Sequence, residues 1–468
     1  MLGVTKANIA DLRQTVRGSV LEATDPEYEG VYRVWNGMMD ERKPGLIVRC
    51  SGPADVAAAV RFCRDHDVFP AVRGGGHSAA GTGTCDAGLL IDLSCMRAVR
   101  VDPVNRTATA QGGALWGDYD HETQAFGLAS PGGAVSTTGV AGLTLGGGIG
   151  WLTRKLGLAC DSLIGADLVT SEGALKLVSE ESDPDLMWAI KGGGGNFGIA
   201  TSLHFRVHPV GPIVLGGPII YSIEHAAEVY ALVDEMSNEA PDDLAIAIIT
   251  CPVKPTPMFP EELHWRPVVI VLLCWSGDLT AGERFISPFR QIAPAIMDFV
   301  APIPYANLQK NYDSLVPKGR RSYWKSGYLQ NMDSEVAGRL IKYGRQPLSP
   351  YSQVEAVLLG GKFSRIAPEA SAFGDRSGVA VYNLECFWLD AMDDKANIEW
   401  ARAAFRDLEQ FSTGTAYVNF LSDEGDERVR ASYTASYTRL SQIKARMDPD
   451  NFFRINHNIP PASAPVQR

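Results

Sequence analysis

His77 ends a run of three glycines in Arg73–Gly74–Gly75–Gly76–His77–Ser78, and that setting leaves its imidazole free to meet a flat ligand. Residues without a Cβ let a second group come close to the backbone. A neutral imidazole nitrogen can hydrogen-bond such a ligand, which is the usual role of a lone histidine. It can also add to an electrophilic carbon, such as the 8-methyl carbon of a flavin, and leave a C–N bond. A carboxylate suited to act as a base lies far along the chain, in the strand-like run 379–388, Val–Ala–Val–Tyr–Asn–Leu–Glu–Cys–Phe–Trp. Alternation there puts Asn383 and Glu385 on one face with Val381 and Phe387. On a closed apolar face, desolvation disfavours the charged carboxylate and brings its pKa toward neutrality. Taken alone, a single strand carboxylate is more often found on the solvent side.

These groups need a scaffold, and the glycines outline it. Of 47 glycines in 468 residues, 26 lie between residues 73 and 198. No G-X-Y period is present, and 45% hydrophobic with 9% aromatic residues excludes a disordered chain. Backbone wrapped around a ligand is the remaining explanation. The ligand is not a nucleic acid or an anionic membrane, because 43 Lys+Arg against 54 Asp+Glu give a net charge of −11. Eight cysteines without a C-x-x-C spacing exclude a disulfide framework and a zinc ribbon, and no metal is expected. The acidic run 118–122, Asp–Tyr–Asp–His–Glu, reads as a solvated helix start. The N-terminus lacks the apolar core of a signal peptide, and the longest apolar run, Val268–Trp275, is too short to cross a bilayer. A cytoplasmic location is the expectation. Oligomeric state is not legible.

A strand–helix–strand unit, 46–50, 56–66 and 67–73, runs directly into the His77 loop. Further strands are expected at 88–93, 99–110, 163–170, 175–179 and 203–207. From about 213 glycine thins out, and strands at 213–221, 244–251, 268–275, 354–359 and 379–386 alternate with helices at 225–237, 281–292 and 398–410. That order predicts an antiparallel sheet with helices on one face. The last residues, 462–468, read as a loose end.

Three phosphate-binding patterns compete for the glycines. A Walker A motif is absent, and a Rossmann fingerprint at Gly147–Gly150 lacks its strand before and its acid after. The third is a set of loops, each turning free N–H groups toward one diphosphate: 73–78, 131–133, 139–150 and 192–198. A ligand that touches all four would be a dinucleotide. Among dinucleotides, only a flavin offers His77 a carbon to attack.

With those residues in view, the sequence resembles the berberine-bridge-enzyme-like branch of the vanillyl-alcohol oxidase superfamily, the oxidases with a PCMH-type FAD-binding domain. The resemblance lies in Val72–Gly83, in 139–158 (GVAGLTLGGGIGWLTRKLGL), in 183–199 (DPDLMWAIKGGGGNFGI), in 323–326 (YWKS), and in 448–454 (DPDNFFR) with 458–461 (NIPP). These stretches follow the family's order along nearly the whole chain.

The resemblance implies a two-lobed α+β fold. Its FAD-binding domain spans 1–212, its antiparallel-sheet substrate domain with helices on one face spans 213–416, and a berberine-type segment, 417–468, returns to the first lobe. It implies FAD joined covalently to His77. Many members add a second bond through a cysteine, but Val135 stands there, so a single bond is expected. Leu143 replaces a family histidine, and Thr138 stands at the position that gates oxygen, where an aliphatic residue is commoner.

The cofactor-binding set carried over is Arg73, Gly74, Gly75, Gly76, His77, Ser78, Gly81, Gly132, Gly133, Thr138, Gly139, Gly142, Gly146, Gly148, Gly150, Gly198, Ile199, Asn456 and Asn458. Glu385 matches the family's catalytic strand position, which reverses the solvent-side reading. Tyr417, in Ala416–Tyr417–Val418–Asn419–Phe420, matches a tyrosine that faces the flavin in sugar and alcohol oxidases. Tyr417 suits an orienting donor better than a base, since a tyrosinate needs positive charge or hydrogen bonds nearby. Tyr323, Trp324 and Lys325 are expected to line the substrate side, with core packing as the alternative role for Trp324. The implied reaction is hydride transfer from a small alcohol, amine or phenolic substrate to FAD N5, with oxygen reduced to hydrogen peroxide. The alternatives are a dehydrogenase with another electron acceptor, or a flavin-binding protein without catalysis if Glu385 and Tyr417 turn away.

Overall fold

The computed structural model describes residues 3–256 and 259–463, so 464–468 of the expected loose end lie outside the described residues. Leu46–Arg49, Leu89–Asp92 and Pro70–Arg73 form a parallel core, with Ser19–Leu21 antiparallel at one edge. Leu46, Ile47 and Val48 have no solvent exposure, as parallel strands covered on both faces require. Helix Pro53–Asp65 makes the crossover, opened by a proline at its first position. Pro70–Arg73 then ends at Gly74, which releases the His77 loop beyond the carboxyl end of the sheet, where open α/β sheets bind ligands.

A second, antiparallel sheet has the order Val99–Asp102, Thr107–Gln111, Ile199–Arg206, Leu163–Val169, Leu175–Ser179. The run read as one strand over 99–110 is a hairpin here. Asp102 Oδ1 accepts from the N–H groups of Val104 and Asn105, at 3.0 and 2.9 Å, and Arg106 takes a positive φ of 51° to close the turn.

The third sheet is antiparallel and has eight strands. Its path is Ala295–Asp298, Ile213–Ser222, Pro267–Trp275, Leu244–Pro252, Gln353–Leu358, Ala380–Trp388, Arg321–Leu329, and Ala301–Pro304 also pairs with Ile213–Ser222. Arg321–Leu329, a strand outside those expected, carries the 323–326 motif. Ile246, Ile248, Val271 and Leu384 face one way, into a core with Val233, Phe289, Leu340 and Phe405 of the helices Ala226–Glu239, Leu279–Gln291, Ser334–Arg345 and Asp394–Leu408. The alternate residues Ala245, Ala247, Ile249 and Ile270 face the other way and pack with Trp151 and Leu152 of the glycine-rich zone. One face of this sheet is therefore a helix-backed wall, and the other is a roof over the glycine loops. Among the described residues, no helix is long and apolar enough to cross a membrane.

The tail ties itself to the Gly192–Gly198 loop. Lys444, on helix Ser436–Met447, is fully buried and donates to Asp448 Oδ2 at 2.6 Å, to the Asn196 carbonyl at 2.8 Å and to the Phe453 carbonyl at 3.0 Å. Asn196 Oδ1 in turn accepts from the Ile459 N–H at 3.0 Å.

Candidate active site between the glycine loops and the eight-stranded sheet

A cavity separates the roof from the loops. On the loop side its wall includes Gly74, Gly75, Gly76, His77, Ser78, Gly133, Thr138, Gly139, Gly142, Gly146, Gly150, Gly198, Ile199 and Asn456. On the sheet side it includes Trp324, Glu355, Val357 and Glu385, with Tyr312 and Val135 between. The sequence therefore brought most of the predicted cofactor set to one wall and Glu385 to the opposite one.

His77 is held from behind. The Trp35 ring stacks on it at 4.8 Å between centroids and 23° between planes. Trp35 is itself pinned, its backbone N–H donating to the Gly76 carbonyl and its indole N–H to the Val316 carbonyl, both at 2.9 Å. Burial pushes the imidazole down to about 4, so it is neutral at physiological pH, the form that can act as a nucleophile. Its Nε2 is buried and has no hydrogen-bond partner in the protein.

The loops meet at distances only glycine permits. A Cβ on Gly75 would lie 2.5 Å from the backbone of Gly139, and one on Gly150 would lie 1.9 Å from the Gly132 carbonyl oxygen. At Gly142 and Gly195, both on the cavity wall, a Cβ would meet no protein atom within 4 Å. Open space at bare backbone and an unpartnered imidazole nitrogen suit a flat, phosphate-bearing ligand such as FAD.

Other members of the set support the loops. Arg73 is spent on Asp92, with Nη2 to Oδ2 at 2.8 Å, and donates to the Val31 carbonyl. Gly81, at φ 70°, gives room to Met39; Gly132 gives room to the Trp116 ring; Gly148, at φ 96°, gives room to Ala159. Asn458 lines a neighbouring polar cleft with Arg42, Asp423 and Glu424.

Tyr417 lies under the loop 146–150. Its hydroxyl oxygen accepts from the N–H groups of Gly148 and Ile149 at 3.0 and 3.1 Å, and from Asn419 Nδ2 at 2.8 Å. Burial pushes this phenol up to about 12 against the pull of those donors. It anchors the loop as a neutral phenol.

The roof carries two carboxyls. Glu385 Oε2 accepts from Gln353 Nε2 at 2.6 Å, and Oε1 accepts from Asn383 Nδ2 at 3.1 Å. Glu355, on the adjacent strand, has the Tyr312 hydroxyl at 3.4 Å. Burial raises both carboxyls above the usual range. The Glu385 charge raises Glu355 further, and for Glu385 the effect is opposed by Gln353, Lys254 and Asn383. Glu355, Gln353, Lys254, Tyr312 and Trp35 were not anticipated. Only Glu355 had a signal, the same alternation in 353–357 that singled out Glu385.

Alternation also corrects the expectation for 323–325. Trp324 reaches the cavity, so its neighbours turn away: the Tyr323 hydroxyl meets Arg402 Nε at 3.3 Å, and Lys325 pairs with Glu424 over the Phe405 ring. In the run 118–122, expected to be solvated, Asp120 is buried. Gln309 Nε2 donates to its Oδ2 at 2.8 Å and also to the Gly133 carbonyl at 3.0 Å, and burial raises this carboxyl to about 7.

Two family patterns match the chain, an FAD binding domain over residues 44–179 and the pattern described as berberine and berberine like over 416–460. An FAD-linked oxidoreductase of Dictyostelium discoideum is 31% identical over 456 residues, which is 96% of either chain. The chain belongs to the berberine-like FAD-linked oxidoreductases. Within this family it is also 29% identical to (R)-6-hydroxynicotine oxidase of Paenarthrobacter nicotinovorans, over 96% of this chain and 97% of the relative. The crystal structure of 6-hydroxy-D-nicotine oxidase from Arthrobacter nicotinovorans superposes with a TM-score of 0.86 at 28% identity, over 96% of this chain and 98% of that one. The two-lobed α+β architecture is thus that of an FAD-linked oxidase, and the protein is an oxidoreductase.

Proposed function

We propose that this oxidoreductase removes hydride from a C–H bond of a small alcohol, amine or phenolic substrate, with Glu385 as the base that takes the substrate's O–H or N–H proton. The observation that carries the reading is the Glu385 carboxyl at the wall of the same cavity as His77. FAD bound there would accept the hydride and pass the electrons to oxygen, giving hydrogen peroxide. His77 would hold the flavin through one covalent bond at its 8α carbon, and Val135 offers no thiol for a second. Gly74–Ser78, Gly133, Gly139–Gly150, Gly198 and Ile199 would cradle it, with Asn456 at their edge. The corresponding division of the chain is an FAD lobe of 1–212 with 417–468, and a substrate lobe of 213–416.

Tyr417 keeps a positioning role in this reading, since three N–H donors already meet its oxygen. Arg154 reaches the cavity wall, but its guanidinium is spent on the carbonyls of Leu359 and Ala240. Glu355 and Glu385 line the cavity, while the Lys254 ammonium beside them is turned to the carbonyl oxygens of Gln353 and Leu315, so a neutral or cationic substrate fits better than an anionic one.

Thr138, on the cavity wall at the position that gates oxygen in relatives, does not decide between this reading and a second one, a dehydrogenase that passes electrons to a quinone or dye. A peroxide-coupled screen of alcohols, amines, sugars and phenols tests the first reading. Stopped-flow reoxidation in air then separates the two, since an oxidase reoxidises within its turnover time and a dehydrogenase does not.

A further inference from the structure

Glu385 has two amide donors, and only one has its orientation locked. Gln353 stands opposite Glu385 across the strand pair and gives its Nε2 to the carboxyl at 2.6 Å. Its Oε1 accepts from Lys254 Nζ at 2.8 Å. A lysine ammonium has donors and no acceptor, so it admits only the carbonyl end of this amide and turns the NH2 end to Glu385. Asn383 has no such lock: its Nδ2 meets Glu385 at 3.1 Å while its Oδ1 is buried without a partner. Lys254 is buried, with its ammonium 3.4 Å from the Leu315 carbonyl and 5.8 Å from the centre of the Phe387 ring. Nothing in the proposed reaction uses it directly.

The geometry points to Lys254 and Gln353 as positioning residues that keep Glu385 an unprotonated acceptor, an assignment that rests on the reading of Glu385 as the base. Without the ammonium, Gln353 can turn and present Oε1 to Glu385. An acceptor facing a carboxyl favours its protonated form. The other groups near this pair are Glu355, the Tyr312 hydroxyl, the Cys251 thiol and Arg320 beside Lys254, with the Cys386 thiol behind Glu385 on the other face of its strand. Glu355 works against ionisation of Glu385, because two carboxylates this deeply buried do not both ionise at neutral pH. Lys254 is the one cation among these groups that lowers the Glu385 pKa. It therefore decides which of the two carboxyls gives up its proton. Glu385 holds the charge, ready to take a proton from substrate, and Glu355 keeps its own.

Protonation of the two carboxyls can be read without a substrate, from pH-difference infrared spectra of the purified holoprotein that follow the carbonyl stretch of a protonated carboxyl. Measured in an Asp120→Asn background, which removes the other buried carboxyl raised to about 7, the protein should hold one such group at neutral pH, absent in Glu355→Gln. A second should appear only on acidification, absent in Glu385→Gln. Lys254→Met and Gln353→Leu should each raise the midpoint of that second band by about one pH unit or more, and Lys254→Arg should restore it. Lys254→Met leaves Gln353 Oε1 without a donor, so Lys254→Gln, which fills the same space with a neutral amide, is measured beside it and should show the same shift. An unmoved midpoint in the Lys254 and Gln353 variants overturns the proposal. A shifted midpoint with full turnover in Glu385→Gln leaves the lock standing and removes only the reading of Glu385 as the base.

Discussion

Glu385 and Glu355 project from the same face of two adjacent antiparallel strands, Glu385 in register with Gln353 and Glu355 in register with Asn383. Each amide therefore lies between two carboxyls along its own strand or across the pair. The carboxyls differ in what they are given: Glu385 receives two N–H donors and Glu355 one distant hydroxyl. Environments that push two carboxyls apart in this way separate a charged group from a protonated one.

Glu385→Gln removes the proposed base and keeps the shape. Flavin reduction by a substrate found in the peroxide screen should slow by about 10²–10⁴-fold, the usual span for loss of a positioned base. Tyr417→Phe should slow it by less than about tenfold. It should instead destabilise the protein by about 1–3 kcal/mol, because the N–H groups of Gly148 and Ile149 lose a buried acceptor. Anaerobic stopped-flow traces and thermal melts of the two variants check this division of roles.

Asp120 should make stability fall as pH rises. Its carboxyl is raised from 3.8 to about 7 by burial, so the unfolded chain releases this proton near pH 4 and the folded one near pH 7. The cost is absent below pH 4 and complete above pH 7. Asp120→Asn keeps an acceptor for Gln309 Nε2 and carries no charge. Melts from pH 4 to 8 should show no difference at the acid end. At the alkaline end the variant should gain up to about 4 kcal/mol, taking about 1.36 kcal/mol per pH unit.

Gly142→Ala should fold normally and carry less flavin. Its Cβ meets no protein atom but projects from the cavity wall. Gly75→Ala should fail in a different way, since its Cβ would lie 2.5 Å from Gly139 and force the two loops apart. The ratio of flavin absorbance to protein, set beside the melting temperature, distinguishes the two.

Trp35→Ala should lower the fraction of flavin that stays attached after denaturation, and Trp35→Phe should largely preserve it. The indole stacks on the His77 ring and sets its plane. Flavin retained after acid treatment, as a share of total flavin, is the measurement.

His77 was legible because three glycines announce an exposed backbone, and Glu385 because the family resemblance reversed the solvent-side reading that its strand alone suggested. The partners of Glu385 were not. Gln353 meets it through the register of the eight-stranded sheet, while Lys254, just past the strand Leu244–Pro252, reaches it through Gln353, and Tyr312, outside the sheet, meets the neighbouring Glu355. Arg73 was read as a cofactor ligand from its place beside the glycines, yet Asp92, on a neighbouring parallel strand, claims it. Tyr323 and Lys325 were read together with Trp324 as one motif, and the two-residue period of a strand sends them to the opposite face. Local composition carried the loops and the sheet class. Long-range register, which no window of sequence contains, decided which polar side chains meet.

The most direct test of an FAD-linked enzyme built around His77 is acid precipitation of the purified protein, followed by absorbance of pellet and supernatant. A yellow wild-type pellet is expected, together with a colourless pellet and yellow supernatant for His77→Ala. A colourless wild-type pellet from flavin-loaded protein would contradict the covalent role of His77.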